Sequence, residues 1–342
     1  MTNFSDYIYR PQLPTLRNAI INANFNWWQR GTSFSSNAYT ADMFSVGANY
    51  DGSFTVTRST GLSGEPKSVY SWLYTENTGD SSLAAGQYSH MIHKVEGTIY
   101  HPFIDRAATL SFWVKATVTG SYTVFFRDNA YASSYVIEYE IYQSNTWEFK
   151  VVHLTFDDTI ATWETGAGGS LNLGWCFGCG STYKTSSTDQ WISGNYIAGS
   201  NQVNGVASAS NIFQLAQPQL EIGRVATPFE YIPAGVENRL VYRYYEIVTY
   251  THDSGTSVTN GNGTMYAEVL HQQKRATPTS VSWSGTVQIW SPQNGWRNAT
   301  TTSSTSANAW RILAVFTDTG VSNYVAGNAL LFQGTATIDA QM

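Results

Sequence analysis

The sequence predicts an all-β protein built from antiparallel β-sandwiches, and two observations carry this prediction. Apolar and polar residues alternate with a period of two along much of the chain, which is typical of strands with one buried face. Turns rich in Gly, Asn, Asp and Ser separate these runs at intervals of about ten residues. The first 230 residues contain no convincing apolar stripe of helical period. One apolar and one polar face per strand favours antiparallel sheets packed as a sandwich.

Four consecutive runs between residues 109 and 153 show the alternation most clearly. The side chains predicted to face the core are Leu110, Phe112, Val114 and Ala116 in the first run, Tyr122, Val124 and Phe126 in the second, Ile137, Tyr139 and Ile141 in the third, and Trp147, Phe149 and Val151 in the fourth. Opposite them lie polar residues such as Glu138 and Glu140, which are expected to face solvent.

The chain is long enough for two domains with separate cores. Pro233 and Gly235 interrupt the alternating pattern, so we predict a boundary there. The predicted parts are an N-terminal arm at 1–20, a first β-domain at 21–232 and a smaller β-sandwich at 233–342. In the last part a turn or two of helix is expected over 236–242, followed by a strand over 244–250. Shorter strand-like runs then lie at 263–270, 279–283, 286–290, 310–316 and 329–332, with hairpin signals at 260–263 and 294–295.

Composition excludes several classes of function. Charged residues make up 12% of the chain and aromatic residues 15%, with a formal net charge of −6. Nucleic-acid binding needs clustered Lys and Arg, and no basic run exists. No segment of 18 apolar residues predicts a membrane span. The N-terminus lacks the basic and apolar regions of a secretory signal, which fits release by cell lysis. The polar, largely uncharged surface favours binding of neutral sugars.

Residue types that carry metal or redox chemistry do not form recognisable sites. Cys176 and Cys179 form a C-x-x-C pair, but zinc would need two more ligands. Thioredoxin-like chemistry would need a helix after the first cysteine. We predict core or turn residues, with a local disulfide as the alternative. His90 and His93 lie three apart, on opposite faces of a strand. No compact Asp-x-Asp cluster predicts calcium, so no cofactor is expected.

Acidic residues also give no clear catalytic pair, so we predict that the protein is not an enzyme. Asp157 and Asp158 are adjacent and point in different directions, whereas a glycosidase needs two carboxylates at a fixed separation. Capping of a turn is the better interpretation. A polysaccharide depolymerase stays as an alternative, although the β-helix repeats common in such enzymes are absent.

Several phrases resemble those of one protein family. They are residues 22–34 with 39–42, 83–97, 110–115 with 119–122, 211–213 and 217–231, followed by 239–245 and 271–279. The earlier phrases resemble the jelly-roll, carbohydrate-binding-module-like domain of bacteriophage tail fibres and receptor-binding proteins. The last two resemble the joint and the "Met-Arg-Ala-x-Pro" phrase of the C-terminal tip domain that follows it, which reads Lys-Arg-Ala-Thr-Pro here.

The resemblance implies an antiparallel jelly-roll sandwich followed by a smaller C-terminal β-sandwich tip. It implies a virion protein of tail or head that binds host surface polysaccharide without covalent chemistry. The N-terminal arm would dock on other virion proteins, and the protein would be a homotrimer. A structural decoration or spike without glycan binding is the main alternative.

Sugar recognition stacks an aromatic ring on the apolar face of a pyranose while polar groups bind its hydroxyls. Candidate residues are therefore aromatic residues in loops, and they are Tyr131, Tyr183, Trp191, Tyr196 and Trp296. The tryptophans in strand-like runs are expected to pack in the core; they are Trp27, Trp28, Trp113, Trp147 and Trp163.

Overall fold

The computed structural model describes residues 16–60, 64–157, 163–257, 263–299, 301–309, 311–319, 324 and 329–342. The protein is all-β, as the alternation predicts. A jelly-roll sandwich is followed by a smaller β unit. Residues 1–15 of the predicted N-terminal arm lie outside the described residues. Arg17 to Ile20 pack on the sandwich, where the amide of Ala19 donates to the carbonyl of Leu220 over 2.9 Å.

Fifteen strands make up the first unit. They are β1 Ser33–Phe34, β2 Ala38–Tyr39, β3 Phe44–Asn49, β4 Ser53–Ser59, β5 Ser71–Thr78, β6 Tyr88–Glu96, β7 Ala107–Ala116, β8 Gly120–Asp128, β9 Ser133–Ile141, β10 Glu148–Thr155, β11 Gly169–Cys179, β12 Lys184–Thr185, β13 Trp191–Ser193, β14 Ala198–Gly199 and β15 Ile212–Ile222. A four-residue helix α1, Gly97–Tyr100, and short 3-10 helices at His101–Phe103 and Ser181–Tyr183 lie between them.

Two sheets form the sandwich. The first has the order β1-β4-β5-β15-β7-β10 and the second the order β13-β9-β8-β11-β6-β3-β2. All pairs within these sheets are antiparallel. β12 and β14 form a separate parallel pair. Strand β15 pairs with both β5 and β7 at the centre of the first sheet. The last strand of the unit therefore completes the sheet between strands that come much earlier in the chain.

The core lies between the two sheets and is rich in aromatic rings. The apolar residues predicted to face inwards in β7, β8 and β9 are all buried there. Phe112 on the first sheet meets Trp175 and Tyr139 on the second, with ring centroids 5.6 and 5.1 Å apart. Such edge-to-face contacts add to the stabilisation from apolar burial.

The predicted phase of β10 is wrong. Phe149 and Val151 are 47% and 39% exposed, whereas Val152 and Leu154 are buried. The side chain of Phe149 packs outside the sandwich against Trp113, with ring centroids 5.3 Å apart. Both alternating sets of residues in this run include apolar side chains. Pairing with β7 turns the set with Val152 and Leu154 towards the core.

Four of the five tryptophans expected in strands lie outside them. Trp27 and Trp28 lie in the irregular segment before β1, and Trp163 lies in a loop. Trp28 and Trp163 are nonetheless buried. Trp147 precedes β10 and lies under Lys115, whose Nζ is 5.2 Å from the ring centroid. Trp113 is on β7 but its ring is on the outer face.

The smaller unit follows helix α2, Ala234–Tyr242, which confirms the helical segment predicted there. Its strands are β16 Tyr245–Ser257, β17 Gly263–Leu270, β18 Ser280–Ser291, β19 Gly295–Asn298, β20 Thr301–Asn308, β21 Arg311–Asp318 and β22 Ala329–Asp339. They form one antiparallel sheet of order β19-β18-β22-β16-β17-β21-β20. The sheet curls so that β18 also approaches β20, and it encloses an apolar core that includes Met265, Phe316 and Phe332.

A polar joint connects the two units. Glu96 at the end of β6 is buried and accepts hydrogen bonds from Arg243 Nε at 3.0 Å and Nη2 at 2.5 Å, and from the Tyr244 hydroxyl at 2.7 Å. Arg275 donates to the carbonyl oxygens of Ala167 and Ala340. The two phrases that resemble the joint and tip of the fibre family therefore meet at this contact.

No helix among the described residues is long and apolar enough to span a membrane.

Candidate functional site

A pocket of about 150 Å³ lies on the outer face of the second, seven-stranded sheet of the jelly-roll sandwich. Its floor comes from β6 and β8, and the segment that carries β12 to β14 covers one side of it. Among the lining residues are two of the predicted sugar-binding residues, Tyr131 and Tyr183. The other lining residues are Tyr88, His90, Ile92, Arg127, Asn195 and Ile197.

Strand periodicity explains why polar residues gather here. In β8 the residues Tyr122, Val124 and Phe126 enter the core, so Phe125 and Arg127 project to the outer face. In β6 the same rule turns His90 and Ile92 outwards, whereas His93 faces inwards and accepts a hydrogen bond from the amide of Ile21 at 3.2 Å. The sequence prediction that His90 and His93 lie on opposite faces is confirmed.

Two glycines make room for the large side chains of the floor. A Cβ at Gly174 would lie 2.1 Å from Cζ of Phe125, and a Cβ at Gly47 would lie 2.8 Å from Cε1 of His90. Gly174 pairs with both Phe125 and Ile92 across the sheet. Side chains at these positions would therefore displace the ring of Phe125 or that of His90.

Arg127 is the main charged group of the pocket. Its residue is 5% exposed, and its guanidinium carbon lies 4.7 Å from the ring centroid of Phe125 and 4.5 Å from that of Tyr131. Its Nη1 donates to Oδ1 of Asn195. Nε is buried and makes no hydrogen bond to the described residues. Burial lowers the pKa of Arg127 to about 10, so the group is still charged at neutral pH.

His90 beside it is neutral. Burial, assisted by the charge of Arg127, lowers the pKa of His90 to about 3. Its Nδ1 is buried without a hydrogen-bond partner among the described residues. A neutral imidazole has one donor and one acceptor nitrogen. The backbone of Gly47 already bonds to the imidazole, so one ring nitrogen is left for a ligand hydroxyl.

The turn between β8 and β9 positions Tyr131. The carboxylate of Asp128 accepts hydrogen bonds from the amides of Ala130, Ala132 and Ser133 at 3.2, 2.8 and 2.8 Å. This cap supports a left-handed backbone at Tyr131, with φ of 59°, a conformation that a tyrosine seldom adopts. The result places the ring, which is 37% exposed, above the guanidinium.

Tyr183 reaches the pocket from the opposite side. Its ring lies 5.2 Å from that of Tyr88 at 80°, and its carbonyl accepts the amide of Ile197 at 3.0 Å. The amides of Gly194 and Asp189 bond to the carbonyls of Ala132 and Val136. The covering segment is thus held on the sheet by several backbone bonds.

The other three predicted residues lie elsewhere. Tyr196 is half-buried against the apolar cluster below the covering segment. Trp191 packs at the edge of the sandwich on Tyr135 and Trp163, and its Nε1 donates to the Thr155 carbonyl at 2.9 Å. Trp296 lies on β19 of the smaller unit, 5.2 Å from the ring of His252. Trp191 lies on β13, so the loop positions predicted for these two residues are wrong.

Trp191 borders a second, open pocket of about 510 Å³. Asp105, Tyr135, Asp157 and Gln190 also line it. The indole N–H of Trp191 donates to the Thr155 carbonyl, and the rings of Tyr135 and Trp163 pack against the indole. Asp158, the neighbour of Asp157 in the sequence, lies outside the described residues.

Sequence reasoning missed Arg127, His90, Tyr88 and Asn195 as pocket residues. Arg127 lies near the end of a strand whose other face is apolar, and Asn195 lies in a loop, so neither position alone indicates a site. The signal that was present is the pair of glycines within strands, Gly47 and Gly174, since glycine inside a strand marks a close approach.

Cys176 and Cys179 are buried and free, so the alternative of a local disulfide is wrong. Burial raises the pKa of the Cys176 thiol. Within the described ranges no three His, Cys, Asp or Glu side chains form a group that could hold a metal ion.

Comparisons with known proteins give distant structural similarities. No protein-family model matches the chain, and no curated protein matches it. The enzymatically active domain of bacteriophage CBA120 tailspike protein 4 is 13% identical with a TM-score of 0.33, and the match covers 60% of this chain but 21% of that chain. The chain thus spans about a fifth of that tailspike domain.

Two further solved structures match almost over their whole length. The family 11 carbohydrate-binding module of a cellulosomal cellulase of Clostridium thermocellum is 8% identical with a TM-score of 0.31, covering 57% of this chain and 97% of that one. A putative sugar binding protein from Bacteroides thetaiotaomicron is 9% identical with a TM-score of 0.31, covering 60% and 100%. TM-scores of this size do not establish a shared function.

Proposed function

We propose that the protein is a bacteriophage fibre or spike protein that binds a host surface glycan without covalent chemistry. The observation that carries this proposal is the pocket between Tyr131 and Tyr183. The sequence predicts both tyrosines as aromatic residues suited to sugar stacking, and the fold brings them to one pocket although 51 residues separate them.

The chemistry of the pocket suits a sugar ring. Exposed aromatic rings supply apolar surface for one face of a pyranose. His90, Arg127 and Asn195 supply donors and acceptors that can orient its hydroxyls. The pocket is smaller than the range of about 300–1,000 Å³ for sites that enclose a drug-sized ligand. We therefore expect it to hold one residue of a glycan, with the remaining chain outside.

The virion role rests on the sequence resemblance to phage fibres. We propose docking on other virion proteins through the part of the N-terminal arm that precedes residue 16, since residues 18–20 are buried in this chain's own sandwich, and assembly as a homotrimer. Phe149 on the outer face of β10 is 47% exposed, and with the half-buried Trp113 of the neighbouring β7 it offers an apolar surface for a second copy. Light scattering should give three times the chain mass, and a Phe149→Ser variant should shift it towards one. A monomeric wild type would refute the trimer.

Binding of the purified protein to intact host cells and to their extracted polysaccharide tests the main proposal. Saturable binding with no sugar fragments in the supernatant is expected. Release of fragments would make the protein a depolymerase. An absence of binding to cells and polysaccharide, with normal incorporation into virions, would favour a structural decoration.

A further inference from the structure

Arg127 is a buried cation without an ion-pair partner in the described part of the chain. The nearest carboxylate in sequence, Asp128, points into the turn and accepts three backbone amides. Asn195, which is neutral, is the hydrogen-bond partner of Arg127. An unpaired buried charge costs free energy. The protein nevertheless places one at the bottom of an open pocket.

Lys94 is a second cation on the same outer face of the sheet. Asn172 of β11 pairs with Arg127 on one side and with Lys94 on the other. The charges of Arg127 and Arg275, added to burial, lower the pKa of Lys94. Lys94 Nζ donates to the carbonyl oxygen of Met342 at 3.3 Å.

Two polar atoms of pocket-lining residues have no hydrogen-bond partner among the described residues, and they are Nε of Arg127 and Nδ1 of His90. The guanidinium needs an anionic acceptor, and the neutral imidazole can bind a hydroxyl. A sugar acid carries both on one ring, whereas a neutral sugar would leave the charge of Arg127 unpaired.

We infer that the pocket binds a carboxylate-bearing residue of the glycan, such as a uronic acid, with Arg127 as the anchor for its carboxylate and Tyr131 or Tyr183 against its ring. This inference rests on the proposed glycan binding and names the class of sugar. It replaces the expectation from composition that the ligand is a neutral sugar. Charge-assisted hydrogen bonds from Arg to carboxylate are among the stronger polar contacts in proteins.

Chemical reduction of the polysaccharide carboxylates provides the test. The probe is the extracted surface polysaccharide to which the protein binds, used native and after carbodiimide activation with borohydride, which converts uronic acids to neutral sugars. We expect reduction to weaken binding by about tenfold or more. Equal binding before and after reduction would overturn the inference and leave glycan binding intact. Failure to bind any extracted polysaccharide would overturn both.

Two variants place the effect at the pocket. Arg127→Gln should bind native and reduced polysaccharide equally. The matched control is Arg58→Gln, since Arg58 also lies over a tyrosine, 4.4 Å from the ring centroid of Tyr70, but on β4. Asn195 is exposed, so Asn195→Asp should fold and should occupy Arg127 with a carboxylate of the protein itself. A preference for native polysaccharide that survives in both pocket variants would overturn the inference.

Competition by free anions is the remaining experiment. Acetate and inorganic phosphate should compete only at concentrations far above those of the polysaccharide, because they lack the ring. Displacement by phosphate at low concentration, together with no effect of carboxylate reduction, would identify a site for a free anion instead.

Discussion

The guanidinium carbon of Arg127 lies 4.5 Å from the ring centroid of Tyr131, four residues later in the chain. The relationship depends on the turn between them, in which Asp128 caps three amides. One short segment thus supplies an aromatic surface, a buried charge and the cap that holds them together. It is the part of the protein on which the proposed binding depends most.

Removal of either pocket tyrosine should weaken glycan binding. We expect Tyr131→Ala and Tyr183→Ala each to raise the Kd about tenfold, which corresponds to about 1.4 kcal/mol, because each loses a stacking surface. Titration calorimetry with the extracted polysaccharide measures the effect. Tyr266 is a suitable control, because its exposed fraction of 41% is similar to the 37% of Tyr131 but it lies on β17 of the smaller unit. An equal loss in Tyr266→Ala would contradict a site at the pocket.

The two adjacent valines of β10 should respond oppositely to truncation. Val152 is 6% exposed and Val151 is 39% exposed. Val152→Ala should lower the free energy of unfolding by about 2 kcal/mol, whereas Val151→Ala should change it by less than about 0.5 kcal/mol. Urea denaturation measures both values. The reverse order would restore the phase that the sequence alone suggested.

The joint between the units should depend on the charge of Glu96. Glu96→Gln is expected to destabilise the protein by about 3 kcal/mol, because it leaves the Arg243 guanidinium without its buried carboxylate. Glu268→Gln is the control, since Glu268 and Arg311 form an exposed ion pair whose loss should cost at most about 1 kcal/mol. Equal small effects in thermal unfolding would show that the joint is not held by this pair.

The same joint should weaken in acid. Burial acts to raise the pKa of Glu96, but hydrogen bonds from Arg243, Thr98 and Tyr244 outweigh it and hold the pKa below its usual value of 4.5. A depressed carboxyl pKa contributes stability that is complete above 4.5 and is lost as the pH falls through the folded value. Unfolding of Glu96→Gln should therefore depend less on pH below 4.5 than that of the wild type.

Glu76 should have the opposite pH dependence. Burial raises its pKa to about 7, against hydrogen bonds from Tyr50 and Tyr74, while the nearby Asp80 adds to the rise. The folded state therefore holds a proton that the unfolded state loses near pH 4.5. Stability attributable to Glu76 should fall from pH 5 to pH 8 by up to about 3 kcal/mol. Glu76→Gln should remove that slope in denaturant titrations; an unchanged slope would assign it to other groups.

Strand alternation predicted the fold well where the apolar phase is unambiguous. In β7, β8 and β9 one face is wholly apolar, so burial of that face is the one favourable solution. In β10 the choice between Phe149 with Val151 and Val152 with Leu154 depends on what β7 presents across the sheet. Trp113 on the outer face of β7 provides a partner for Phe149, and a single sequence does not reveal that partner.

The candidate site was predictable in part for a similar reason. Loop position identified Tyr131 and Tyr183 as aromatic residues free to bind. Arg127 could not be identified, because its burial results from the segment around Asn195 that folds back over the sheet. Trp191 was an equally reasonable candidate, yet the edge of the sandwich engages its ring with Tyr135 and Trp163.

The smaller unit is attached to the jelly roll through two strands. β16 leaves the joint at Tyr245, and β22 returns to it at Asp339, which pairs with Tyr245. Arg30 of the jelly roll lies over the ring of Tyr245 and bonds to Asp339 at 3.4 Å. A body held by two neighbouring strands resists twisting about either one. The far end of the smaller unit should therefore keep a fixed orientation relative to the pocket.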